Sequence, residues 1–330
     1  MSQSFRTIVR AAKPPFTITH LERIMTIGSC FSENVGRYFE RYKFPIVINP
    51  FGQQYNPYSI SNAIRRLLSP EPYTESDLIE QDGLYHSYDH HGSFSRQSKV
   101  DTLDNINVSL QTAAEALKQT SVLFLTFGTA HSFRLKESGN VVSNCHKVPA
   151  SQFDFELMEV DEIVTELEKS ITALWAVNPA LKVVLTVSPV RYFAFGHFEN
   201  SVSKGHLFAA IHKLIAKCPQ LYYFPAYELV MDDLRDYRFF ADDMLHPTAQ
   251  ATEYVWEAMA ETLFSAATQQ LIKQVDDIAS AAHHRPRDPH GEGHRKFVQQ
   301  TLQKMDKMQQ QYGFDFGKER QLLDPDGLAG

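Results

Sequence analysis

The fold is decided by residues 24–33, which read IMTIGSCFSE. The first four residues form a short apolar run typical of a buried strand, and Gly28 then allows a tight turn. Apolar side chains recur at helical spacing after it, so a helix is expected to begin at the turn. This arrangement places Ser29 or Cys30 where the first backbone N–H groups of the helix converge. An attacking oxygen or sulfur would find hydrogen-bond donors already aimed at it.

A second informative stretch lies much later in the chain, where residues 243–247 read DMLHP. Asp243 and His246 are three residues apart, so one short loop can carry both side chains. His246 is the expected general base, and Asp243 would orient its ring and stabilise its charged form. The alternative is a cluster of acids before a helix, with a solvent-facing histidine. Together with the turn at Gly28, the pair indicates acyl transfer.

The composition limits the classes of function. The chain has 330 residues, 43% of them hydrophobic, which is enough for one large domain or for a domain with an appendage. Its formal net charge of −7 provides no basic surface for nucleic acid or for an anionic membrane. With the acyl-transfer pattern, the expected partner is a small-molecule or carbohydrate ester. The oligomeric state is not predicted.

The cysteines and the first residues bear on location. Cys30, Cys145 and Cys218 form an odd, sparse set without the spacing of a disulfide framework, which fits a reducing compartment. Residues 1–6 lack the apolar segment of a signal peptide, and no stretch approaches the roughly 18 apolar residues of a membrane span. The expectation is a cytoplasmic protein.

Strand-like runs and helical patterns alternate along the chain. Runs rich in β-branched or aromatic residues predict strands at residues 24–27, 122–127, 183–187 and 221–224. Apolar faces at helical spacing predict helices that include residues 60–67, 163–174, 207–215 and 254–263. This alternation predicts an α/β fold with a mainly parallel sheet covered on both faces. In such sheets, ligands bind beyond the carboxyl ends of the strands.

Three chemically suggestive motifs each follow one of these runs, so they are expected to share one cleft. They are residues 28–30, 128–131 and 188–191. A backbone amide at Gly52 or Gly128 is a candidate oxyanion donor. Arg191 is expected to position an anionic or polyhydroxylated group. The alternative for each of these positions is an ordinary turn at the end of a strand.

Histidines and a cysteine raise a metal alternative. Four residues are of types that commonly bind zinc: His131, Cys145, His146 and Asp243. No Cys-x-x-Cys or His-x-x-x-His spacing accompanies them, so the expectation is a site without a metal or other cofactor. Residues 144–147 are then either a polar segment of the cleft or a β-turn.

The chain is predicted to divide into two parts. Residues 1–268 form the α/β domain, and residues 69–99 within it are a polar loop insertion over the sheet edge. The character changes after residue 268, where prolines, glycines and histidines precede a helical pattern. Residues 269–330 are therefore predicted to be a linker and a C-terminal helical tail.

Residues 28–32 resemble the motif that names the GSCFA-domain family, a bacterial branch of the SGNH/GDSL-like hydrolase superfamily. The chain departs from that motif only at Ser32, where the family has alanine. The resemblance covers roughly residues 5–264. Its further blocks read NPFG at 49–52, YNP at 55–57, HGSFS at 91–95, FGTAH at 127–131, NCHK at 144–147, VSPVR at 187–191, SK at 203–204, LRDYRF at 234–239 and DDMLHP at 242–247.

The resemblance implies a flavodoxin-like three-layer α/β/α fold and a site that cleaves or transfers acyl groups. The final Asp-x-x-His block of the superfamily matches the pair at 243 and 246. Its first block, Gly-Asp-Ser, places Cys30 at the nucleophilic serine and Ser29 at the aspartate. Its oxyanion asparagine falls on Ala130, which implies that one donor is missing or supplied elsewhere. Asn56 and Asn144 are the candidates to replace it.

The expected function is therefore that of an SGNH-type esterase or acyltransferase acting on an acylated hydroxyl compound, such as a carbohydrate. Cys30 would form a covalent acyl-enzyme, with Ser29 as the alternative nucleophile. His131 and His146 would lie among the substrate-binding residues. Two alternatives remain open: a non-catalytic binding protein on the same fold, which the change at Ala130 suits, and a metal-dependent hydrolase.

Overall fold

The computed structural model describes residues 5–285 and 291–324, and a five-stranded sheet lies at its centre. The strands in these ranges are β1 (Ile24–Gly28), β2 (Ile46–Ile48), β3 (Leu78–Gln81), β4 (Leu84–Ser87), β5 (Val122–Phe127), β6 (His131–Leu135), β7 (Val141–Val142), β8 (Phe153–Leu157), β9 (Lys182–Val187) and β10 (Leu221–Tyr223). The order across the central sheet is β2-β1-β5-β9-β10, and all neighbouring pairs are parallel. This is the flavodoxin-like order.

Helices cover both faces of the sheet. They are α1 (Cys30–Arg41), α2 (Pro57–Leu68), α3 (Lys99–Lys118), α4 (Val160–Val177), α5 (His197–Lys217), α6 (Ala226–Glu228), α7 (Ala249–Leu263), α8 (Ala266–Ala282), α9 (Glu292–Tyr312) and α10 (Gly317–Leu323). Helices α2 to α5 share one apolar core, and α1 and α7 to α10 share the other. Within the described ranges, no helix is both long and apolar enough to cross a bilayer.

Strand β1 supplies side chains to both cores. Met25 and Ile27 pack with helices α2 to α5, whereas Ile24 packs with the layer that contains α1. All five residues of β1 are buried, as expected for a parallel strand with helices on both sides. The predicted three-layer α/β/α sandwich with a C-terminal helical extension is therefore confirmed.

The turn that follows β1 requires a glycine. Gly28 lies opposite Thr126 of β5, and a Cβ atom at Gly28 would lie only 2.4 Å from the Thr126 carbonyl oxygen. Any side chain would therefore push β1 and β5 apart. Helix α1 begins two residues later, with Ser29 as its N-cap residue. The close approach of the two strands sets where the first turn of α1 starts.

The four predicted strands are confirmed as β1, β5, β9 and β10, with ends that differ by at most one residue. The four predicted helical faces lie in α2, α4, α5 and α7. The edge strand β2 was not predicted, because three residues are too few for a periodic pattern. The small antiparallel sheet of β7, β6 and β8 was not predicted either.

Residues 69–99 are more regular than the predicted loop. Strands β3 and β4 form an antiparallel hairpin, joined by Asp82 and Gly83. Both turn residues have positive φ, 53° and 74°, and Asp-Gly between strands is a strong hairpin signal. The prediction of a loop was therefore wrong at this place, since the polar composition outweighed the turn signal.

The C-terminal residues dock on the layer that contains α1. Helix α8 begins at Ala266 and so crosses the predicted boundary after residue 268. The predicted docking helix is α9, whose Val298 and Met305 are buried in the second core. Part of the predicted linker, residues 286–290, lies outside the described residues.

Candidate active site

The two candidate nucleophiles differ in accessibility. Ser29 is 1% exposed, and its Oγ is buried without a hydrogen-bond partner. Cys30, the first residue of α1, is a free, partly exposed thiol. Because a nucleophile must reach its substrate, the structure favours Cys30 over Ser29.

Opposing effects act on the Cys30 thiol. Burial raises its pKa, since the protein interior disfavours the charged thiolate. The backbone N–H groups of Phe31 and of Cys30 itself lower the pKa because they donate towards the sulfur, and the positive charge of Lys204 also lowers it. Glu33, one turn further along α1, raises it. Burial outweighs these groups, so the pKa of Cys30 lies above the ordinary cysteine value, and the thiol needs a base to take its proton before it can attack.

Asn49 supports the turn from the neighbouring strand end. Its Oδ1 accepts hydrogen bonds from the Gly28 N–H at 3.0 Å and from the Ser32 hydroxyl at 3.2 Å. Its backbone is left-handed, with φ of 43°, a conformation that asparagine tolerates better than most residues. In the sequence, Asn49 stands out only as the first residue of the NPFG block at 49–52, and this supporting role was not predicted.

The two predicted glycine donors already have acceptors. The N–H of Gly52 donates to the Asn49 carbonyl at 2.7 Å, and that of Gly128 donates to the Tyr55 carbonyl at 2.8 Å. The N–H groups of Cys30 and Phe31 lie in the first turn of α1, where a helix offers them no acceptor. They are the amides in the best position to stabilise an oxyanion.

Asn56 and Asn144 hold local structure with their side-chain oxygens. Asn56 is the N-cap residue of α2 and accepts a hydrogen bond from the Ser59 N–H at 2.9 Å. Asn144 accepts one from the His146 N–H, also at 2.9 Å. These bonds fix both amides in turns.

Asp243 and His246 form the predicted pair. Their Oδ2 and Nδ1 atoms are 2.6 Å apart. The other carboxylate oxygen of Asp243 accepts hydrogen bonds from the N–H groups of Leu245 and His246, both at 2.9 Å. The N–H and ring of His246 and the N–H of Leu245 lower the pKa of Asp243 to about 2. The carboxylate is thus charged at neutral pH and fixes the orientation of the imidazole.

The pair lies beside a cavity that Arg191 also lines. The cavity has a volume of about 530 Å³ and is bounded by the loops that follow β9 and β10. Its lining includes Asp243, Phe193, Arg235 and Tyr237. Guanidinium groups and aromatic rings together suit a polyhydroxylated or anionic group. The structure thus brings Arg191 and Asp243 to one cavity, whereas residues 28–30 and 128–131, which were expected to share a cleft with Arg191, are not among the residues that line it.

His131 is part of an aromatic cluster. It is 3% exposed, and its ring centroid lies 4.8 Å from that of Phe155 and 5.2 Å from that of Phe195. Burial lowers its pKa. Its imidazole therefore packs as a neutral core ring at the start of β6.

His146 is fixed to the inserted hairpin. Its Nε2 lies 2.8 Å from the Ser87 carbonyl, its ring packs on that of His86, and burial lowers its pKa to about 4. Burial also raises the pKa of the neighbouring Cys145 to about 11. Across residues 5–285 and 291–324, no three histidine, cysteine or acidic side chains are placed to hold a metal ion. The four ligands of the metal alternative are thus not assembled.

Lys204 also belongs to this region, although in the sequence it stands out only within the SK block at residues 203–204. It lies on α5 and is 3% exposed. Its Nζ donates to the carbonyls of Gly128 at 2.7 Å and Ser188 at 2.6 Å, which follow β5 and β9. Burial lowers the pKa of Lys204 to about 7. A lysine three residues before Leu207, on the apolar face of α5, was the signal that could have found it.

This low pKa predicts a specific dependence of stability on pH. Between pH 7 and 9.5 the unfolded chain keeps the Lys204 proton while the folded chain loses it, so stability rises with pH. Relative to Lys204→Met, the free energy of unfolding of the wild type should rise by about 3 kcal/mol over this window. Chemical denaturation at each pH measures it. Lys213→Met, an exposed position on the same helix, should follow the wild type, and parallel curves for wild type and Lys204→Met would refute the prediction.

The sequence model described as the GSCFA family matches residues 23–259, and the model of the GSCFA domain protein, C-terminal domain, matches residues 275–324. A search of curated proteins finds no match.

Several solved structures are similar to the chain at low identity. A carbohydrate esterase of family 3 from Talaromyces cellulolyticus is 9% identical over 78% of this chain and 99% of its own, with a TM-score of 0.36. A family 3 carbohydrate esterase from Clostridium thermocellum is 13% identical over 77% and 98%, with a TM-score of 0.34. The acetyl xylan esterase Est2A from Butyrivibrio proteoclasticus is 10% identical over 73% and 63%, with a TM-score of 0.37.

The first family match spans more than half of the chain and includes the turn at Gly28 and the Asp243–His246 pair. The second covers α9 and α10, which dock on the α1 layer. The chain belongs to the GSCFA family.

Proposed function

We propose that the protein is an SGNH-type esterase or acyltransferase that acts on an acylated hydroxyl compound through a thioester on Cys30. The observation that carries this proposal is the position of Cys30, a free, partly exposed thiol at the first residue of α1, where backbone N–H groups have no acceptor within the helix. The Asp243–His246 pair, whose ring is held by a 2.6 Å contact to the carboxylate, supports the proposal as a general base with its orienting acid. Helix α1 also packs against α7, which begins just after His246.

In the first step, the sulfur of Cys30 attacks the ester carbonyl carbon as His246 accepts the thiol proton at Nε2. The C–S bond forms, and the carbonyl oxygen takes the electron pair of the C=O π bond. The N–H groups of Cys30 and Phe31 stabilise this oxyanion. Collapse expels the alkoxide, which recovers the proton from His246, and leaves the acyl group on sulfur. Asp243 holds the ring and stabilises its charged form throughout.

In the second step, water or an acceptor hydroxyl attacks the thioester and gives up its proton to His246. The C–S bond breaks, and the thiolate regains the proton. Water as the acceptor gives hydrolysis, and a second alcohol gives transfer. The same residues serve both outcomes, so the acceptor that reaches the site decides between them.

The cavity beside Asp243 supports a carbohydrate as the acylated compound. Its aromatic side chains Phe193 and Tyr237 offer flat apolar surfaces, while Arg191 and Arg235 offer hydrogen-bond donors. Sugars present both apolar ring faces and many hydroxyls, so this combination suits them. The same guanidinium groups would bind an acidic sugar.

A non-catalytic binding protein on the same fold is the second candidate. It is favoured by Ala130, which is fully buried at the position of the superfamily's oxyanion asparagine and so offers no side-chain donor. The occupied amides of Gly52 and Gly128 favour it as well. In this case the cavity would bind a sugar without cleaving it.

Turnover and the site of acylation separate the two candidates. The purified protein is incubated with an aryl acetate and with acetylated xylo-oligosaccharides, and quenched samples are digested for peptide mass spectrometry. We expect release of the alcohol and an acetyl group on the peptide that contains Cys30. Binding of the oligosaccharides without turnover or acylation would favour the binding protein.

A further inference from the structure

Lys204 is a buried amine at the carboxyl edge of the central sheet. Its two acceptors, the carbonyls of Gly128 and Ser188, belong to the loops that follow β5 and β9. No carboxylate forms an ion pair with it in the described part of the chain. A buried ammonium without an anionic partner is costly, so its position needs an explanation.

The amine lies next to the turn that carries Cys30. A Cβ atom on Gly128 would lie 3.5 Å from the Cβ of Ser29, so the carbonyl that Lys204 holds belongs to a residue packed on this turn. Ser203 holds the same segment, since its hydroxyl accepts a hydrogen bond from the Ala130 N–H at 2.7 Å. Ser203 and Lys204, which are successive residues of α5, therefore both hydrogen-bond to the loop after β5.

Few charged or ionisable groups surround the Lys204 amine and the Cys30 thiol. Lys204 faces Arg191 from the loop after β9 and the ring of Tyr227, which lies 5.9 Å from Nζ. Cys30 faces Glu33 on its own helix and Tyr55 from the loop before α2. Within this set, the group that gains a negative charge during the proposed reaction is the Cys30 thiol.

We propose that Lys204 is the electrostatic partner of the Cys30 thiolate and controls how readily this thiol ionises. The neutral amine has two N–H groups and the ammonium has three, so either form can keep both carbonyl bonds. Lys204 can thus gain or lose its proton without a change of structure. The catalytic consequence rests on the proposed function, because the thiolate is the attacking species there, but the coupling itself requires no substrate.

Alkylation of Cys30 tests the coupling. The rate of reaction with iodoacetamide is followed from pH 5 to pH 10 by mass spectrometry of the Cys30 peptide, for the wild type, Lys204→Met and the control Lys213→Met. The pKa of Lys204 is about 7, so its positive charge acts on the thiol mainly below that pH. Alkylation at pH 6 should therefore slow by about tenfold in Lys204→Met, and the profiles should converge above about pH 9, where the amine is neutral. Unchanged profiles in a folded Lys204→Met protein would overturn the proposal.

A second measurement covers the case in which Lys204→Met does not fold. Coupling between two charges is reciprocal, so a permanent negative charge at residue 30 must raise the pKa of Lys204. Lysine side chains labelled with ¹³C are titrated by NMR in Cys30→Asp and in the neutral control Cys30→Asn. A higher pKa of the buried lysine in Cys30→Asp is expected, and equal values would overturn the proposal. An inactive protein that shows the coupling would contradict the proposed function alone.

Discussion

Replacement of Cys30 by alanine is expected to lower kcat/KM for aryl acetates by at least about a thousandfold, the scale seen when a covalent nucleophile is removed. The reason is that no other accessible nucleophile lies at the N-terminus of α1. The neighbouring hydroxyl of Ser29 is buried, and its residue is 1% exposed. Steady-state rates of alcohol release measure the effect.

Ser29→Ala is the matched control for this variant. It removes one oxygen at the adjacent position, and that oxygen has no hydrogen-bond partner to lose. We expect kcat/KM to stay within about threefold of the wild type, because any change would come only from small shifts of the turn. Loss of turnover in Ser29→Ala together with full activity in Cys30→Ala would reverse the assignment. Full activity in both variants would exclude the covalent mechanism.

Replacement of His246 by asparagine is expected to lower kcat/KM by about a thousandfold, because the thiol proton then has no general base. Asp243→Asn should cost about a hundredfold, since the amide no longer fixes the required tautomer of the ring. The pKa of Asp243 is about 2, so the carboxylate remains charged well above that pH. Asp243 itself therefore does not titrate between pH 5 and pH 9, and steady-state rates in this range measure the loss with the wild-type carboxylate charged throughout.

Asp236→Asn is the control for the acidic partner. Asp236 lines the same cavity, and its carboxylate lies 3.9 Å from the Nε atom of Arg238 rather than at the imidazole. Its replacement changes the cavity charge by the same amount as Asp243→Asn and should leave kcat within about threefold. An equal loss of kcat in both variants would indicate a general effect of charge and would contradict the orienting role of Asp243.

The parts of the fold that the sequence predicts well are those with strong periodicity. β1, β5 and β9 are continuous apolar runs because helices cover both of their faces, and such runs are visible without tertiary contacts. The hairpin of β3 and β4 was missed because each strand has only four residues and mixes apolar with polar side chains without a clear alternation. Its turn at Asp82 and Gly83 was the available signal.

In the candidate site, too, some features follow from the local sequence and others depend on tertiary contacts. The Asp243–His246 contact follows from local spacing, because three residues of loop bring carboxylate and ring together, and the sequence predicts it. The accessibility of Cys30 relative to Ser29 depends on how α1 leaves the sheet, which no local pattern contains. The occupied amides of Gly52 and Gly128 likewise depend on acceptors supplied by other turns.

The sequence by itself determined the alternation of strands and helices, the turn at Gly28 and the pairing of Asp243 with His246, because each depends on neighbours in the chain. Only the tertiary structure decided that Ser29 is enclosed and that Lys204 holds the carbonyl of Gly128, which packs on the turn before Cys30. These groups come together because parallel strands bring the loops after β1, β5 and β9 to one edge of the sheet. The pKa of the buried Lys204 amine is low because of this packing, and no single stretch of the sequence determines it.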